Sequence, residues 1–279
     1  MSPVSPEVST RKRFLLRTAT PYATLASLYD ALLGNLFFPQ LRRAFEWHVR
    51  RYGIRCTSAA DVACGTGTFV RYLCECGVPV VYGVDRSPEM LDVAIRKNLG
   101  NRAQFLLQNF TALQLPQPVE LITCNFDSLN YLLNQDDLRR GLRRFCANLK
   151  AGGHLIFDMV SNRPPGKILS SYIERVTGPG FAFTRVMQWN PLAGTLTSRL
   201  SILRNGRLHQ EVHLQRAYPH AVIVALLSQA RFILLGAHDF HTLGPATNLS
   251  TRVVYVARKP FELGKLTSPS SPSPTPVCL

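Results

Sequence analysis

Short, almost wholly apolar segments alternate with amphipathic segments from residue 58 onward. The apolar segments have the length of strands, whereas the segments between them repeat apolar positions every three to four residues, as helices do. A strand that is apolar on both faces must be covered on both, so the alternation predicts a parallel sheet between two helix layers. The predicted elements are strand 58–63, helix 67–76, strand 79–84, helix 88–98, strands 103–107 and 119–124, helix 135–149 and strand 154–160.

The ends of the chain differ from this pattern. Residues 1–20 are polar and contain prolines, and residues 262–279 include the run Ser-Pro-Ser-Ser-Pro-Ser-Pro-Thr-Pro. Segments of this composition bury too little apolar surface to offset the entropy lost on ordering. We therefore expect both ends to be disordered. Helical patterns at 23–33 and 40–52 begin the folded part.

The hydrophobic pattern changes period between residues 171 and 216. Strand-like runs at 181–188, 195–204 and 208–216 are separated by Asn-Pro and by Asn-Gly, and the second dipeptide is a strong hairpin signal. This pattern predicts an antiparallel insertion before the last helix, 219–230. Two strands, 233–238 and 252–257, follow that helix. The expected organisation is a core over 21–170, the insertion over 171–216 and a C-terminal part of the core over 217–261.

A glycine turn followed by an acid indicates a nucleoside site. The run Asp-Val-Ala-Cys-Gly-Thr-Gly-Thr ends the first core strand, and Asp85 ends the second. Gly65 and Gly67 lack a Cβ, so the backbone can turn sharply and lie against a ligand. Asp85 can accept hydrogen bonds from both hydroxyls of a ribose. Val70 stands where a dinucleotide site has a third glycine, which argues against a pyrophosphate.

Three motifs in order resemble the class I S-adenosylmethionine-dependent methyltransferases. They are D-V-A-C-G-T-G-T at 61–68, G-V-D-R-S-P-E-M-L at 83–91 and L-K-A-G-G-H-L-I-F-D at 149–158. The resemblance covers about residues 20 to 260 and implies S-adenosylmethionine as the cofactor. It also implies an α/β fold with a Rossmann-like, mostly parallel sheet of seven strands, which the antiparallel insertion interrupts.

The resemblance assigns cofactor contacts to the carboxyl ends of the strands. Asn109 stands where the family usually has an acid that contacts the adenine amino group. Its amide oxygen can accept the same bond, and turn formation is the alternative role. Arg86 either lies along the adenine or is solvated, and Phe126 packs near the methionine part. The predicted cofactor-binding residues are Tyr22, Asp61, Ala63, Cys64, Gly65, Gly67, Asp85, Arg86, Met90, Asn109, Phe110 and Phe126.

The segment 125–131 interleaves polar and bulky side chains after the fourth core strand. It resembles the D-S-x-N-Y segment of a branch that methylates small molecules. Tyr22 and Tyr29 resemble the N-terminal helical lid of that branch, where a tyrosine hydroxyl closes over the cofactor carboxylate. Core packing is the alternative for these tyrosines. The predicted substrate-binding residues are Tyr29, Asp127, Asn130 and Tyr131.

The sequence identifies no catalytic residue and predicts no metal. His209 and His213 lie in a strand pattern, where residues four apart are separated by about 13 Å, so they do not form a metal pair. Transfer to a neutral amine needs no strong base, because the methyl donor is already a strong electrophile. Approximation and alignment can supply about 7 to 11 kcal/mol of the barrier reduction.

The chain is strongly basic, with 32 lysines and arginines against 17 acids and a formal net charge of +15. This balance raises RNA, anionic lipid and acidic substrates as partners. The arginines occur as short pairs on separate elements, without interleaved aromatics, so we favour a solvated surface over nucleic-acid binding. No apolar stretch reaches the length of a membrane span, and residues 1–20 lack a secretory core, which predicts a cytoplasmic location.

The sequence therefore predicts methyl transfer from S-adenosylmethionine to a nitrogen or oxygen of a small-molecule acceptor. We expect the insertion 171–216 to cover the substrate. The rival hypotheses are methylation of RNA or of a lipid-borne quinone, and a cofactor-binding protein without methyl transfer. A nucleotide-dependent oxidoreductase ranks last. The pattern is compatible with a monomer or a dimer.

Overall fold

Two β-sheets and five α-helices form the part of the chain that the computed structural model describes, residues 16–97, 102–160 and 171–261. In chain order, the strands are β1 (Leu16–Ala19), β2 (Ser58–Val62), β3 (Val80–Asp85), β4 (Ala103–Leu107), β5 (Val119–Cys124), β6 (Leu149–Val160), β7 (Ser171–Gly178), β8 (Phe181–Asn190), β9 (Thr195–Arg204), β10 (Arg207–Arg216), β11 (Ile233–Asp239) and β12 (Arg252–Arg258). The helices are α1 (Asn35–Tyr52), α2 (Thr68–Glu75), α3 (Pro88–Arg96), α4 (Gln135–Ala147) and α5 (His220–Gln229).

The larger sheet has seven strands in the order β11-β12-β6-β5-β2-β3-β4. The strands from β6 to β4 in this order pair in parallel, whereas β12 is antiparallel to both β6 and β11. β2 is an interior strand, between β5 and β3, and is buried at all five positions. This sheet confirms the predicted α/β, Rossmann-like architecture with seven mostly parallel strands. It brings the carboxyl ends of β2, β3 and β5 together at one edge.

The helices pack against the two faces of this sheet through separate apolar clusters. Ala60 and Ile122 belong to the cluster that holds α4 and α5. Ala59 and Leu121 belong to the cluster that holds α1 and α2. Successive residues of a strand point to opposite faces, so one short apolar strand anchors both helix layers. Within the described ranges, no helix combines the length and the apolarity needed to cross a membrane.

The smaller sheet has the order β1-β10-β9-β8-β7. Its pairings are antiparallel except that β1 runs parallel to β10. A third apolar cluster joins Phe183, Leu200 and Ile202 of this sheet to Leu25 and Leu32, which precede α1. The smaller sheet is thereby fixed against the N-terminal segment rather than against the large sheet alone.

The insertion has more strands than the sequence pattern indicates. The pattern predicts three strands, but β7 adds a fourth and β1 joins the opposite edge. The prediction that residues 1–20 are disordered is therefore wrong for Leu16–Ala19, because their backbone pairs with Leu208–Glu211. Residues 1–15, the tail 262–279 and the predicted boundary at residue 170 lie outside the described residues.

The segment before α1 is not the single helix predicted over 23–33. A 3₁₀-helix spans Leu25–Leu28 and a π-helix spans Asp30–Gly34. α1 then begins at Asn35 rather than at residue 40. The cause lies far away in sequence, because the carboxylate of Glu211 on β10 accepts three backbone N–H groups at the start of this segment. These bonds replace the first turn of a regular helix.

The end of α4 also differs from the pattern. The pattern predicts a helix over 135–149, whereas α4 ends at Ala147 and β6 already begins at Leu149. Asn148 lies between them, accepting the N–H of Leu115 at 2.7 Å and donating to the carbonyl of Leu113 at 3.0 Å. These side-chain bonds to the backbone compete with a further helical turn.

Candidate active site

A cleft opens where the carboxyl ends of β2, β3 and β5 converge. It encloses about 900 Å³ of empty space when the space at its mouth is included. Its position beyond the carboxyl ends of parallel strands is where open α/β sheets bind ligands. Ten of the predicted cofactor-binding residues line it: Tyr22, Asp61, Ala63, Cys64, Gly65, Asp85, Arg86, Met90, Phe110 and Phe126.

Asp85 lies at the end of β3 in the wall of this cleft and is 9% exposed. One carboxylate oxygen accepts the N–H of Gly65 and the other accepts the N–H of Ser87, both at 2.8 Å. Burial raises the pKa of Asp85, although these backbone bonds oppose the shift. A carboxylate oxygen accepts more than one hydrogen bond, so Asp85 keeps acceptor capacity for a pair of ligand hydroxyls.

The two glycines of the turn have different surroundings. Gly65 has a φ of +54°, and a Cβ on it would meet only the sulfur of Met90, at 3.8 Å, so the bare backbone borders open space in the cleft. Gly67 has a φ of +74°, and its Cβ would lie 2.9 Å from the Cβ of Ala94. Gly67 does not line the cleft. A glycine is required at this position for packing against α3, and Gly67 is not among the residues proposed to contact the cofactor.

Asn109 is likewise outside the cleft wall. Its side-chain oxygen accepts the N–H of Thr111 at 3.0 Å and the hydroxyl of Thr111 at 3.1 Å. It thereby caps the 3₁₀-helix Phe110–Ala112. This geometry matches the turn-forming role that was the alternative for Asn109. Asn109 is therefore not among the residues proposed to contact adenine. The neighbouring Gln108 and Phe110 line the cleft instead.

Asp61 is a buried carboxylate at the inner end of the cleft. It is 3% exposed and accepts hydrogen bonds from the hydroxyl of Thr123 at 2.7 Å and the amide of Asn125 at 3.0 Å. Burial raises the pKa of Asp61 to about 7, despite these two bonds. No cation lies among its hydrogen-bond partners in the described residues. An ionised Asp61 is therefore stabilised by a positively charged group that enters the cleft.

A second cavity lies between the smaller sheet and the N-terminal segment. It encloses about 1,400 Å³ when its mouth is included. Two arginines reach it, and both are ion-paired: Arg185 with Glu174, at 2.6 Å, and Arg252 with Asp127 and Asp158, also at 2.6 Å. The rest of its wall is mainly apolar or aromatic and includes Leu25, Leu33, Phe37, Val160, Met187, Trp189, Leu196 and Leu200.

The two cavities meet at four side chains, Tyr22, Tyr29, Phe126 and Tyr131, which line both. The hydroxyls of Tyr22 and Tyr131 are 2.6 Å apart and share a hydrogen bond. Burial raises the pKa of each of these two phenols, so both hydroxyls stay protonated. The guanidinium carbon of Arg86 lies 5.7 Å from the centre of the Tyr131 ring. The structure thus brings residues predicted for the cofactor and residues predicted for the substrate to one junction.

Asn130 is not part of this junction, contrary to the prediction that it faces the substrate. It is 1% exposed and lines neither cavity. Its amide donates to the carbonyl of Arg216 at 2.7 Å, and its oxygen accepts the N–H of Val160 at 3.0 Å. Asn130 therefore ties the loop after β5 to β6 and β10. The sequence pattern shows its polarity but not these distant backbone partners.

Two residues that the sequence reasoning did not select hold the turn at Phe126 and Asp127. These two residues have φ of 56° and 49°, in the left-handed region. Asp158 accepts the N–H of Phe126 at 2.7 Å and that of Asp127 at 3.0 Å. Arg252 bonds to both Asp158 and Asp127 at 2.6 Å. The sequence signal for Asp158 is an acid near the end of an otherwise apolar strand, the same signal that located Asp85.

A buried carboxylate and imidazole on β10 were also missed. Nδ1 of His213 is 2.8 Å from the hydroxyl of Tyr131, and its Nε2 is 3.1 Å from Glu211. Glu211 is fully buried and His213 is 4% exposed. The sequence reasoning considered His213 as half of a metal pair, rejected that role and assigned it no other. Its usable signal is an acid and a histidine two apart on the inward face of one strand.

Comparisons with known proteins agree with this geometry. Residues 59–153 match the family described as "Methyltransferase domain". The chain is 30% identical over 185 residues to the dTDP-3-amino-3,6-dideoxy-alpha-D-glucopyranose N,N-dimethyltransferase of Streptomyces fradiae. The aligned region covers 61% of this chain and 68% of that enzyme.

Solved structures share the fold. An S-adenosylmethionine-dependent methyltransferase from Clostridium acetobutylicum ATCC 824 aligns with a TM-score of 0.74 and 24% identity, over 86% of this chain and 99% of that one. The sugar N-methyltransferase KedS8 from Streptoalloteichus sp ATCC 53650 aligns with a TM-score of 0.67 and 22% identity, over 93% and 99%. With the sheet order, the cleft and the Streptomyces fradiae relative, these matches identify the chain as a member of the class I S-adenosylmethionine-dependent methyltransferases.

Proposed function

We propose that the chain transfers a methyl group to a nitrogen or oxygen of a small, largely apolar acceptor, and that an amine fits the site best. The observation that carries this proposal is the junction of two cavities at Tyr22, Tyr29, Phe126 and Tyr131. One cavity has the carboxylates suited to a nucleoside with an ammonium group. The other is mainly apolar or aromatic and lies under the smaller sheet. A cytoplasmic location and a small-molecule partner belong to the same proposal.

The residues of the first cleft fit the cofactor. Asp85 would accept the ribose hydroxyls, and Met90 and Phe110, which line the cleft, would border the adenine. Asp61 would face the cofactor's ammonium, because that group supplies the positive charge that an ionised, buried carboxylate requires. When bound, S-adenosylmethionine supplies a methyl group on an electrophilic sulfonium.

The chain's own contribution is alignment and exclusion of water. Tyr22 and Tyr29 come from the N-terminal segment and close the junction from one side. Phe126 closes it from the other side and is held in place by Asp158 and Arg252. Holding the acceptor against the methyl donor in this way can lower the barrier by about 7 to 11 kcal/mol.

The charges in the second cavity favour an acceptor without phosphate groups. Arg185 and Arg252 are the arginines in its described lining, and each is ion-paired: Arg185 with Glu174, and Arg252 with Asp127 and Asp158. A nucleoside diphosphate would have to break these pairs. The Streptomyces fradiae relative is named for a dTDP-linked amino sugar, so the proposed acceptor shares its amine but not its nucleotide.

The basic surface supports this acceptor over RNA. On α4, Arg139 pairs with Asp136 at 2.5 Å and Arg140 pairs with Asp137 at 3.4 Å. Arg144 donates to a backbone carbonyl. Arg139 and Arg140 are engaged by acids of α4, and Arg144 by the carbonyl of Leu113, so these three arginines do not form a free track for phosphates and the solvated-surface interpretation of the net charge is the better one.

The experiment that tests the proposal follows a methyl label. The protein is incubated with methyl-labelled S-adenosylmethionine and, separately, with 2-phenylethylamine, tyramine, tryptamine, the dTDP-linked amino sugar and total RNA. We expect label in at least one arylalkylamine, and none when Asp85→Ala replaces the native chain. Label only in the nucleotide sugar or only in RNA would overturn the proposed acceptor class.

A further inference from the structure

A row of four hydrogen-bonded groups leads from the junction of the cavities into the smaller sheet. The hydroxyls of Tyr22 and Tyr131 are 2.6 Å apart, Tyr131 is 2.8 Å from Nδ1 of His213, and Nε2 of His213 is 3.1 Å from Glu211. The inner two groups are almost completely buried. The roles assigned above to the cofactor and acceptor sites do not use His213 or Glu211.

The buried carboxylate gives this row a direction. Glu211 also accepts the backbone N–H groups of Tyr22 at 2.8 Å, Thr24 at 2.6 Å and Leu25 at 3.0 Å, so every partner of this carboxylate is a donor. An ionised carboxylate only accepts hydrogen bonds. Nε2 of His213 must therefore carry the hydrogen that points to Glu211, and in the neutral ring Nδ1 is left as an acceptor.

The directions of the other bonds follow from this tautomer. Tyr131 donates its hydroxyl hydrogen to Nδ1 of His213, so its oxygen is free to accept. Tyr22 then donates to the oxygen of Tyr131. The lone pairs of the Tyr22 oxygen remain, and Tyr22 lines both cavities. A donor on the acceptor molecule can therefore bond to Tyr22 at the junction.

Resting on the methyl transfer proposed above, we propose that this row removes a proton from the ammonium form of an amine acceptor, and that Nδ1 of His213 receives it. An ammonium group has no lone pair, so an amine that enters in its charged form must lose a proton before it can take a methyl group. The row supplies a path for that proton from the junction to a buried base.

The proposed step balances in protons and electrons. The N–H bond of the acceptor breaks, and its proton passes to Tyr22 as the hydroxyl proton of Tyr22 passes to Tyr131. The hydroxyl proton of Tyr131 passes to Nδ1 of His213, where a new N–H bond forms. The freed lone pair of the acceptor nitrogen forms the bond to the methyl carbon, and the electrons of the broken carbon–sulfur bond stay on sulfur. The proton returns along the row to water when the product leaves.

The charges around the row support this direction of transfer. Burial alone raises the pKa of Glu211, but the bonds from His213 and the three backbone N–H groups outweigh it and lower the pKa. Glu211 is therefore ionised and pairs with the imidazolium that forms. The other groups near the row are Tyr29, Arg86 and Asp127. The transfer places the positive charge on His213, in the wall of the second cavity and 3.1 Å from the buried carboxylate of Glu211.

The first test reads the tautomer directly. In the full chain labelled with ¹⁵N-histidine, His213 is assigned by the loss of its signals in His213→Gln. In the neutral ring we expect a protonated Nε2 and an unprotonated, hydrogen-bonded Nδ1 whose shift changes in Tyr131→Phe. A proton on Nδ1 in the neutral ring would overturn the proposal, and so would an Nδ1 signal that Tyr131→Phe leaves unchanged.

The second test separates proton removal from a structural role. With 2-phenylethylamine near neutral pH, we expect His213→Gln to lower kcat at least about 100-fold, the lower range for general base catalysis, with KM for the amine within about threefold. The deficit should shrink towards pH 10.5, where the free amine no longer needs the relay. His209→Gln, on the same strand, serves as the matched control and should keep the native kcat.

The outcomes of these tests remain distinguishable from those of the proposed function. A deficit in His213→Gln that is equal at pH 7 and pH 10.5 would assign His213 to structure and overturn the relay. If the native chain methylates no amine in the panel, the proposed function fails. The tautomer measurement then still decides whether the row has the inferred direction, because it requires no acceptor.

Discussion

At the scale of single residues, left-handed backbone surrounds the two cavities. Tyr22, Ala63, Phe126 and Asp127 have φ of 71°, 62°, 56° and 49°. A non-glycine residue in such a conformation costs on the order of 1 to 3 kcal/mol and persists only where its surroundings hold it. The sequence points to turns through glycine, so it predicted the bend at Gly65. It could not predict the bend at Phe126, which depends on Asp158.

The sequence predicted more of the cofactor cleft than of the acceptor cavity. The cleft residues follow directly from strand ends, so Asp61 and Asp85 could be located by counting along apolar strands. The sequence could not separate the possible roles of Asn109 and Asn130, because an amide that can meet a ligand can equally cap a turn or bond to distant backbone. Glu211 and His213 required knowledge of where the inserted sheet docks, which no local pattern provides.

The first prediction concerns the carboxylate at the end of β3. Asp85→Ala removes the acceptor for two ribose hydroxyls, and we expect the affinity for S-adenosylhomocysteine to fall by about 2 to 4 kcal/mol, because charge-assisted hydrogen bonds are lost. Isothermal titration calorimetry measures the change. Asp92→Ala, an exposed acid on α3, is the control and should bind normally. An unchanged dissociation constant in Asp85→Ala would remove Asp85 from the ribose site.

The second prediction separates the two glycines. Gly65→Val should abolish binding of S-adenosylhomocysteine in a chain that still folds, because its side chain occupies space in the cleft. Gly67→Ala should lower the free energy of unfolding by at least about 1 to 2 kcal/mol, the cost of left-handed backbone alone, since its Cβ also crowds Ala94. Calorimetry and urea unfolding give the two readouts. Normal binding by a folded Gly65→Val chain would contradict this placement of the turn.

At the scale of elements, contacts from the C-terminal half decide how the N-terminal segment folds. The sequence correctly predicted the alternation of strands and helices in the large sheet, since each apolar strand is covered by its neighbouring helices. It failed at residues 23–33, where a single helix was expected. Glu211 on β10 captures the backbone N–H groups of that segment, across more than 180 residues. Local propensity cannot reveal such a contact.

The third prediction tests how β12 supports the turn after β5. Arg252→Met leaves Asp158, which is 2% exposed, without its cation, and we expect the free energy of unfolding to fall by about 3 kcal/mol or more. Binding of S-adenosylhomocysteine should weaken as well, because Phe126 loses its support. Chemical denaturation of Arg199→Met, an exposed arginine on β9, supplies the comparison. Equal stability of the two variants would show that the Asp158 pair does not hold the turn.

At the scale of the whole molecule, three apolar clusters join two sheets into one enclosure. Two clusters cover the faces of the large sheet, and the third fixes the smaller sheet to the N-terminal segment. The acceptor cavity lies between the smaller sheet and that segment. Its shape therefore depends on elements from both ends of the chain, which explains why the sequence pattern predicted only a substrate cover over residues 171–216.

The fourth prediction concerns stability against pH. Burial lowers the pKa of His48 to about 4 from 6.5, and Nε2 of His48 has no hydrogen-bond partner among the described residues. The folded state favours the neutral ring. The contribution of His48 to the free energy of unfolding is therefore complete above pH 6.5 and is lost as the pH falls towards 4. The loss is on the order of 3 kcal/mol. Buried carboxyls titrate in the same range. The effect of His48 is therefore isolated only by comparing the stability of the native chain with that of a variant that lacks this histidine.

Urea unfolding of the native chain and of His48→Leu between pH 7 and pH 4.5 measures this difference. We expect the native chain to lose more stability than His48→Leu as the pH falls. His241→Gln replaces an exposed histidine and should follow the native curve. Parallel curves for the native chain and His48→Leu would contradict the assignment of a buried neutral ring at this position.

The most direct test of the central claim is a crystal structure of the chain with S-adenosylhomocysteine and 2-phenylethylamine. We predict that the ribose lies on Asp85 and that the cofactor sulfur points to the junction between Tyr22 and Phe126. The ring of the amine should lie in the apolar cavity, with its nitrogen at Tyr22 and facing the sulfur. An amine bound outside that cavity, or a sulfur directed away from the junction, would contradict the account.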